Sequence, residues 1–158
     1  MIVLNNYEKL LDQSRKERLD VVDYKFKSER ISGLYCDRTI ALSSNLHTNA
    51  ERNSVLSEEL GHYHTTVGNI LDQNNAGNRK QELRARLWAY NKSIGLIGIV
   101  KAFENGCCNH YEMAEYLEVT ESFLLEALKC YRSKYGLFAT VDNYIVYFEP
   151  LVVLKIDL

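Results

Sequence analysis

Two patterns of apolar residues follow one another along this chain, and together they restrict its fold class. In most segments the apolar residues recur every three or four positions, which is typical of amphipathic helices. In two shorter stretches they alternate or are β-branched, which indicates strands. The longest apolar runs, at 95–100 and 151–154, are far shorter than the roughly 20 residues of a membrane-spanning helix. We therefore expect an α+β protein, mostly helical with a small antiparallel sheet.

The first hundred residues are predicted to be largely helical, with one sheet and one loop between helices. The predicted helices cover residues 7–22, 49–65, 79–92 and 96–104. Between the first two, a small antiparallel sheet is predicted over 23–43 with a turn at Asp37-Arg38. Thr48 and Glu51 form a capping-box pattern that opens the second helix. Glycines and asparagines predict a loop over 68–78.

The last third of the chain has the outline of a helix-turn-helix followed by strands. Residues 110–136 predict two helices hinged at Glu118-Val119, with Thr120 capping the second. Residues 137–158 alternate or are β-branched, which predicts a terminal β-hairpin that turns at Asp142-Asn143. This outline makes a DNA-binding protein the competing functional class.

Charge argues against direct contact with nucleic acid or membrane. The chain carries 19 basic and 21 acidic residues, a net charge of −2, so no global field attracts a polyanion. The second helix of the helix-turn-helix outline opens with Glu121, where a recognition helix must approach phosphates. Residues 1–13 contain no basic leader and no continuous apolar stretch, so we expect a cytoplasmic protein.

The segment SEELGHYH, residues 57–64, contains the most informative candidate chemistry. In HExxH zinc peptidases two histidines four residues apart bind the metal, and the glutamate after the first activates water. Here Glu58 stands at the first position and His62 at the second. They lie about 40° apart around a helix and can address one ion, and Glu59 takes the general-base position. His64 lies on a different side of the helix from Glu58 and is interpreted as a rim residue. The alternative for the whole segment is a solvated helix face.

A second carboxylate follows on the next predicted helix, in the segment ELRARLWA that begins at Glu82. Small Ala85 and Ala89, at helical spacing, allow this helix to pack closely against the first. Glu82 is then suitably placed to be a third metal ligand, with one coordination position left for water. The alternative is an ordinary surface glutamate among neighbouring basic residues.

The combination of EELGH with ExxAxxWA resembles the ImmA/IrrE family of phage- and mobile-element-associated metallopeptidases, whose usual motifs are HExxH and ExxAxxFA. The resemblance spans most of residues 7–136 and implies a zincin-like metallopeptidase domain over 1–136, which includes the helix-turn-helix-like helices at 110–136. It implies a zinc-type endopeptidase that cleaves or otherwise inactivates a helix-turn-helix repressor. By this resemblance the metal ligands are Glu58, His62 and Glu82, and the catalytic base is Glu59.

Glu58 is the departure from the family pattern, because a carboxylate replaces the first histidine. Two carboxylates already cancel the charge of a divalent ion, so water bound to it should be less acidic. Oxygen ligands also favour manganese or iron(II) more than histidine does, although zinc remains the expected metal. The runner-up function is a non-catalytic relative that binds a repressor. Tyr63 and Arg86 are both candidates to polarise a substrate carbonyl, and the sequence does not select between them.

Overall fold

A computed structural model describes residues 2–65 and 76–157, and it divides the chain into two compact units. The N-terminal unit comprises Met1–Ala89 and the C-terminal unit Tyr90–Leu158. The predicted boundary at residue 136 therefore lies within the C-terminal unit. The α+β class is confirmed. None of the helices within the described residues is long and apolar enough to span a membrane.

In its described residues, 2–65 and 76–89, the N-terminal unit contains three helices and a three-stranded sheet. Its elements are α1 (Asn6–Lys16), β1 (Asp20–Tyr24), β2 (Gly33–Cys36), β3 (Thr39–Ser43), α2 (Asn49–Thr65) and α3 (Ala76–Ser93), the last of which continues past the unit boundary. The sheet is mixed, with the strand order β1-β3-β2; β1 runs parallel to β3, and β2 antiparallel to it. The predicted hairpin around Asp37-Arg38 is thus confirmed as β2–β3, but a parallel edge strand is added to it.

That added strand corrects the helix predicted over 7–22. Helix α1 ends at Lys16, because Arg18 adopts a left-handed conformation with φ 59° and the Leu19 N–H donates to the Ser14 carbonyl at 2.8 Å. This is a helix-ending geometry that glycine usually provides. The β-branched pair Val21-Val22 then joins the sheet, where it pairs with Ile40 and Ala41. Helical spacing alone could not distinguish these residues from a last helical turn.

Helix α2 begins and ends where the sequence predicts. The Thr48 hydroxyl accepts from the Glu51 N–H at 3.0 Å, and the Glu51 carboxylate accepts from the Thr48 N–H at 3.2 Å, which is the predicted capping box. Leu56 and Leu60 are completely buried against Ile40 and Leu42 of β3. The sheet therefore holds one face of α2, and its residues 58–62 are carried on a fixed helix. Residues 68–75 of the predicted loop lie outside the described residues. Residues 76–78, which were also predicted as loop, belong to α3.

The C-terminal unit contains the helix-turn-helix outline and a second sheet. Its elements are α4 (Gly95–Glu104), α5 (His110–Leu117), α6 (Glu121–Tyr135), β4 (Phe138–Val141), β5 (Tyr144–Phe148) and β6 (Leu151–Lys155). Thr120 caps α6 as predicted, since its hydroxyl accepts from the Phe123 N–H at 3.2 Å. The tail predicted as one hairpin is instead an antiparallel meander of three strands, because residues 151–155 return along β5. The turn at Asp142-Asn143 is where the sequence predicts it.

Candidate metal centre

Helices α2 and α3 approach each other closely at Gly61. A Cβ atom on Gly61 would overlap the backbone carbonyl oxygen of Ala85, so only glycine fits at this crossing. Ala85 and Ala89 are buried on α3, in agreement with the predicted role of small residues there. His62 directly follows Gly61, and Glu82 lies one helical turn before Ala85, so this crossing brings the two side chains together.

His62 and Glu82 face each other across the two helices. The distance from His62 Nε2 to Glu82 Oε2 is 3.5 Å, and their side chains are 18% and 22% exposed. Two ligand atoms at about 2.1 Å from a tetrahedral zinc ion are themselves roughly 3.4 Å apart. Two of the three predicted ligands are therefore spaced as a tetrahedral ion requires, and they remain accessible from solvent.

The protonation of His62 and the orientation of Glu82 also suit a cation. Burial lowers the pKa of His62 below its ordinary value of 6.5, although the Glu82 carboxylate opposes this shift. A neutral imidazole is the form that binds a metal ion. Arg86 Nε lies 3.1 Å from Glu82 Oε1, the other carboxylate oxygen. Arg86 thus orients the carboxylate, as outer partners of metal ligands commonly do.

Glu59 is partly buried against the edge strand β2. A Cβ atom on Gly33 would lie 3.0 Å from Glu59 Cγ and Oε1, so the strand approaches the carboxyl group closely because Gly33 has no side chain. Burial raises the pKa of Glu59 to about 8, and the nearby charges of Glu58 and Glu82 add to the increase. A hydrogen bond from the backbone of Tyr35 opposes it. The roles of Gly33 and Tyr35 could not be predicted from the sequence, because both depend on how β2 packs on α2.

Glu58 lies one turn before His62 on α2, as the motif requires. Within residues 2–65 and 76–157, however, no group of three or more His, Cys, Asp or Glu side chains is arranged to hold a metal ion. The donor pair of His62 and Glu82 fits a metal ion, and the complete three-residue set is not assembled. The assignment of Glu58 as the third ligand stays a prediction.

His64 has a structural environment that the sequence did not reveal. Its imidazole stacks on the Trp88 ring of α3 at 4.6 Å with an interplanar angle of 18°. Its Nε2 lies 3.0 Å from Oε2 of Glu17, at the end of α1. His64 therefore connects α2 to both neighbouring helices. The tryptophan of ExxAxxWA could have indicated a packing position, but no feature of the sequence indicated Glu17 as a partner.

The two residues left open for carbonyl polarisation have different environments. Arg86 is engaged with Glu82 at 3.1 Å. The Tyr63 ring packs edge-to-face on Tyr35 at 5.6 Å and on His64 at 4.9 Å. These contacts give Arg86 an orienting role toward Glu82 and Tyr63 a packing role beside the site.

Comparison with protein families places this geometry in context. Residues 15–129 match the family model of the IrrE N-terminal-like domain, Peptidase_M78. The chain belongs to this family. The matched residues include the whole of α2 and α3 with the His62–Glu82 pair, so the metallopeptidase resemblance inferred from the motifs is confirmed at the level of the family. Searches of curated proteins and of solved structures gave no significant match.

Proposed function

We propose that this IrrE N-terminal-like protein is a metal-dependent endopeptidase. The single observation that carries the proposal is the 3.5 Å separation of His62 Nε2 and Glu82 Oε2, which is the spacing of two ligands on one tetrahedral ion. The family match supports a metallopeptidase-like role independently of that distance. A divalent ion held here would polarise a peptide carbonyl and make water more acidic.

The chain's own residues have distinct roles in this proposal. His62 and Glu82 would hold the ion from two helices, and Glu58, one helical turn before His62, would supply the third ligand. Glu59 accepts a proton from the attacking water and passes it to the leaving amine. Its position against β2 allows it to serve a peptide bond lying beside that strand. Arg86 keeps the Glu82 carboxylate in orientation.

We propose zinc as the metal, with manganese or iron(II) as alternatives. His62 favours zinc, whereas Glu58 and Glu82 add oxygen ligands, which suit harder ions. The two carboxylates would also neutralise the charge of a bound divalent ion and weaken its effect on water. We expect slower peptide hydrolysis than at a site with two histidines.

The proposed substrate is a helix-turn-helix repressor of a phage or mobile element. Support for this step comes from the resemblance of the motifs to ImmA/IrrE proteins, which implies a repressor encoded beside the peptidase. Cleavage or inactivation of such a repressor would release the genes that it controls.

Incubation of the protein with the helix-turn-helix repressor encoded beside its gene tests the proposal. With added zinc or manganese, the wild type should produce repressor fragments detectable by mass spectrometry. Glu59→Gln should keep the metal and reduce the cleavage rate by about 10²- to 10⁴-fold, as removal of a general base does. Glu126→Gln, which removes an exposed glutamate of α6, is the matched control and should cleave at the wild-type rate.

A binding protein without catalysis is the second candidate, because no three-residue metal group is assembled among the described residues. A retained peptidase fold can serve for recognition alone. In the same experiment this candidate predicts intact repressor with wild type and Glu59→Gln alike, and equal binding of the repressor by both. Fragments from wild type alone exclude it.

A further inference from the structure

Positive charge is concentrated in residues 24–31, which end β1 and connect it to β2. This stretch contains three basic residues and one acidic residue, although the whole chain carries a net charge of −2. The three basic residues are Lys25, Lys27 and Arg30, and all three are exposed. We call residues 24–31 the basic segment.

The cations of the basic segment are not neutralised within the part of the chain that the structure describes. Among residues 2–65 and 76–157, none of the three forms an ion pair with a carboxylate. Arg52 differs from them, because its guanidinium pairs with Asp23 at 2.7 Å, directly before the segment. The charge of the basic segment is therefore available to an anionic partner.

Apolar groups and an ordered turn accompany this charge. The Tyr24 ring is 57% exposed and packs edge-to-face on Phe26 at 5.0 Å, and Ile31 is 40% exposed. The Arg30 N–H donates to the Ser28 hydroxyl at 3.2 Å, and the Ile31 N–H donates to the Ser28 carbonyl at 3.3 Å. A turn that is already folded loses less entropy when a partner binds.

The sheet register places the basic segment on the side of the sheet that leads to Glu59. Because β1 runs parallel to β3 and β2 antiparallel, the end of β1 and the start of β2 lie at the same end of the sheet. The segment is followed after one residue by Gly33, where β2 approaches the Glu59 carboxyl group. A protein held at the candidate metal centre therefore has the basic segment within reach.

We propose that the basic segment binds an acidic stretch of the protein that the candidate metal centre cleaves or binds. This inference rests on the proposed function, because that function makes the partner a protein. Carboxylates spaced along the partner would pair with the three cations, and apolar side chains between them would pack on Tyr24 and Ile31. Charge complementarity of this kind selects one partner over others more than it adds affinity.

A protein matches this surface better than a nucleic acid does. Three cations give few phosphate contacts, and binding to duplex DNA depends on many of them. The net charge of −2 on the whole chain also repels an extended polyanion. A peptide, in contrast, combines separated carboxylates with the apolar side chains that the exposed Tyr24 and Ile31 can contact.

Fluorescence anisotropy with the metal-free full chain tests this proposal. The probe is a labelled peptide of about ten residues in which glutamate alternates with leucine and serine, and its control has glutamine in place of every glutamate. The wild type should bind the glutamate peptide at least about 10-fold more tightly than the glutamine peptide. Because exposed charges are screened by salt, about 0.5 M salt should remove most of this difference.

Two matched double variants locate the binding site. Lys25→Gln with Lys27→Gln should weaken binding of the glutamate peptide about 3- to 10-fold. Lys101→Gln with Lys129→Gln removes the same charge from exposed positions of the C-terminal unit and should leave binding unchanged. Lys25→Glu with Lys27→Glu should reverse the preference, so that a peptide with lysine in place of glutamate binds more tightly. Circular dichroism checks that each variant is folded.

Equal binding of the glutamate and glutamine peptides would overturn the proposal, as would an equal loss in the two matched double variants. Tighter binding of a single-stranded oligothymidylate or of phosphatidylglycerol vesicles than of the glutamate peptide would also overturn it. The measurement uses neither metal nor cleavage, so it is separable from the test of the endopeptidase. Preference for the glutamate peptide without any repressor fragments would support this inference and contradict catalysis alone. Repressor fragments without that preference would overturn this inference alone.

Discussion

The interiors of the two units differ in polarity. Among the described residues, all the buried polar side chains lie in the N-terminal unit: Ser14, Ser43, Asn53, Ser54 and Ser57. Three of them are on α2, the helix that carries the motif. In the C-terminal unit the described buried residues are aliphatic or aromatic, with Leu124 and Val146 completely buried, and the polar atoms among their side chains are tyrosine hydroxyls such as that of Tyr131. The buried polar side chains of the described residues therefore lie in the unit that carries the candidate site, beside its apolar cluster.

Two further features of the N-terminal unit lie at the candidate site. A partly buried carboxyl group at Glu59 and a glycine in the middle of α2 at Gly61 both disfavour folding by local rules. Such departures from local rules are expected at functional sites. The C-terminal unit also carries a helical glycine, Gly98 in α4, but a Cβ atom there would meet only the end of the Leu117 side chain. Substitutions in that unit should therefore respond as in an ordinary core. Matched substitutions in the two units can test this contrast.

The largest expected effect is a loss of stability when alanine replaces Gly61, and the same replacement at Gly98 is the comparison in the other unit. Gly61→Ala should lower the free energy of unfolding by about 3 kcal/mol, because its Cβ meets the backbone of Ala85, which no side-chain rotation can relieve. Gly98→Ala in α4 meets only the flexible end of Leu117 at 3.3 Å and should be neutral or stabilising by up to about 1 kcal/mol. Urea denaturation followed by circular dichroism measures both. Equal losses of unfolding free energy in the two variants would contradict the difference between the two units.

A smaller effect of opposite sign, a gain in stability, is expected when glutamine replaces Glu59. Its pKa in the folded protein, about 8, is above the ordinary value of 4.5, so the folded state binds this proton more tightly than the unfolded state. Stability is therefore lost as the pH rises from about 4.5 to 8. Glu59→Gln removes that loss and should stabilise the metal-free protein by about 2 to 3 kcal/mol at pH 8, with little change at pH 4.5.

Fluorescence of Trp88, the single tryptophan of the chain, reports unfolding of the N-terminal unit in this measurement. A variant no more stable than wild type at pH 8 would show that the carboxyl group is well solvated. A gain in stability together with a loss of cleavage would demonstrate the exchange of stability for function at one residue.

The smallest expected effect is a difference in the stability lost when alanine replaces either of two histidines that have similar partners. His64 stacks on Trp88 and pairs with Glu17, whereas His110 stacks on Tyr111 at 4.5 Å and pairs with Glu121 at 3.0 Å. His64→Ala should lower the free energy of unfolding by about 1 kcal/mol, because it removes the stacking on Trp88 and the pair with Glu17. His110→Ala should cost less than about 0.5 kcal/mol, because its stacking partner is the adjacent residue and the ion pair is exposed. Thermal denaturation at one pH compares the two variants, and an equal loss of stability would contradict the role of His64 in connecting α2 to its neighbouring helices.

Local signals in the sequence were sufficient for the helices that form the site. The capping box at Thr48 located α2, and helical spacing placed Glu58 and His62 on one face. Nonlocal packing was not predictable in the same way. Val21-Val22 fits a helix by spacing, and only its pairing with β3 makes it a strand. Close packing of the two site helices was predicted from Ala85 and Ala89, but the position of the crossing at Gly61 was not.

The environments of Glu59 and His64 could not be predicted from the sequence, for the same physical reason. Their partners Gly33, Tyr35 and Glu17 belong to elements far away in the chain, and periodicity carries no information about which elements meet.

Titration of the metal-free protein with zinc, followed by calorimetry, tests the central claim that the N-terminal unit is built around a metal site. We expect one ion per chain, with binding weakened at least about 100-fold in His62→Ala and Glu82→Ala. Glu58→Ala should weaken zinc binding and Glu58→His should strengthen it relative to manganese, because a second imidazole replaces an oxygen ligand. Glu126→Gln should bind like wild type. Zinc affinity that is the same in wild type, His62→Ala and Glu82→Ala would contradict the claim and reduce the His62–Glu82 pair to a contact between helices.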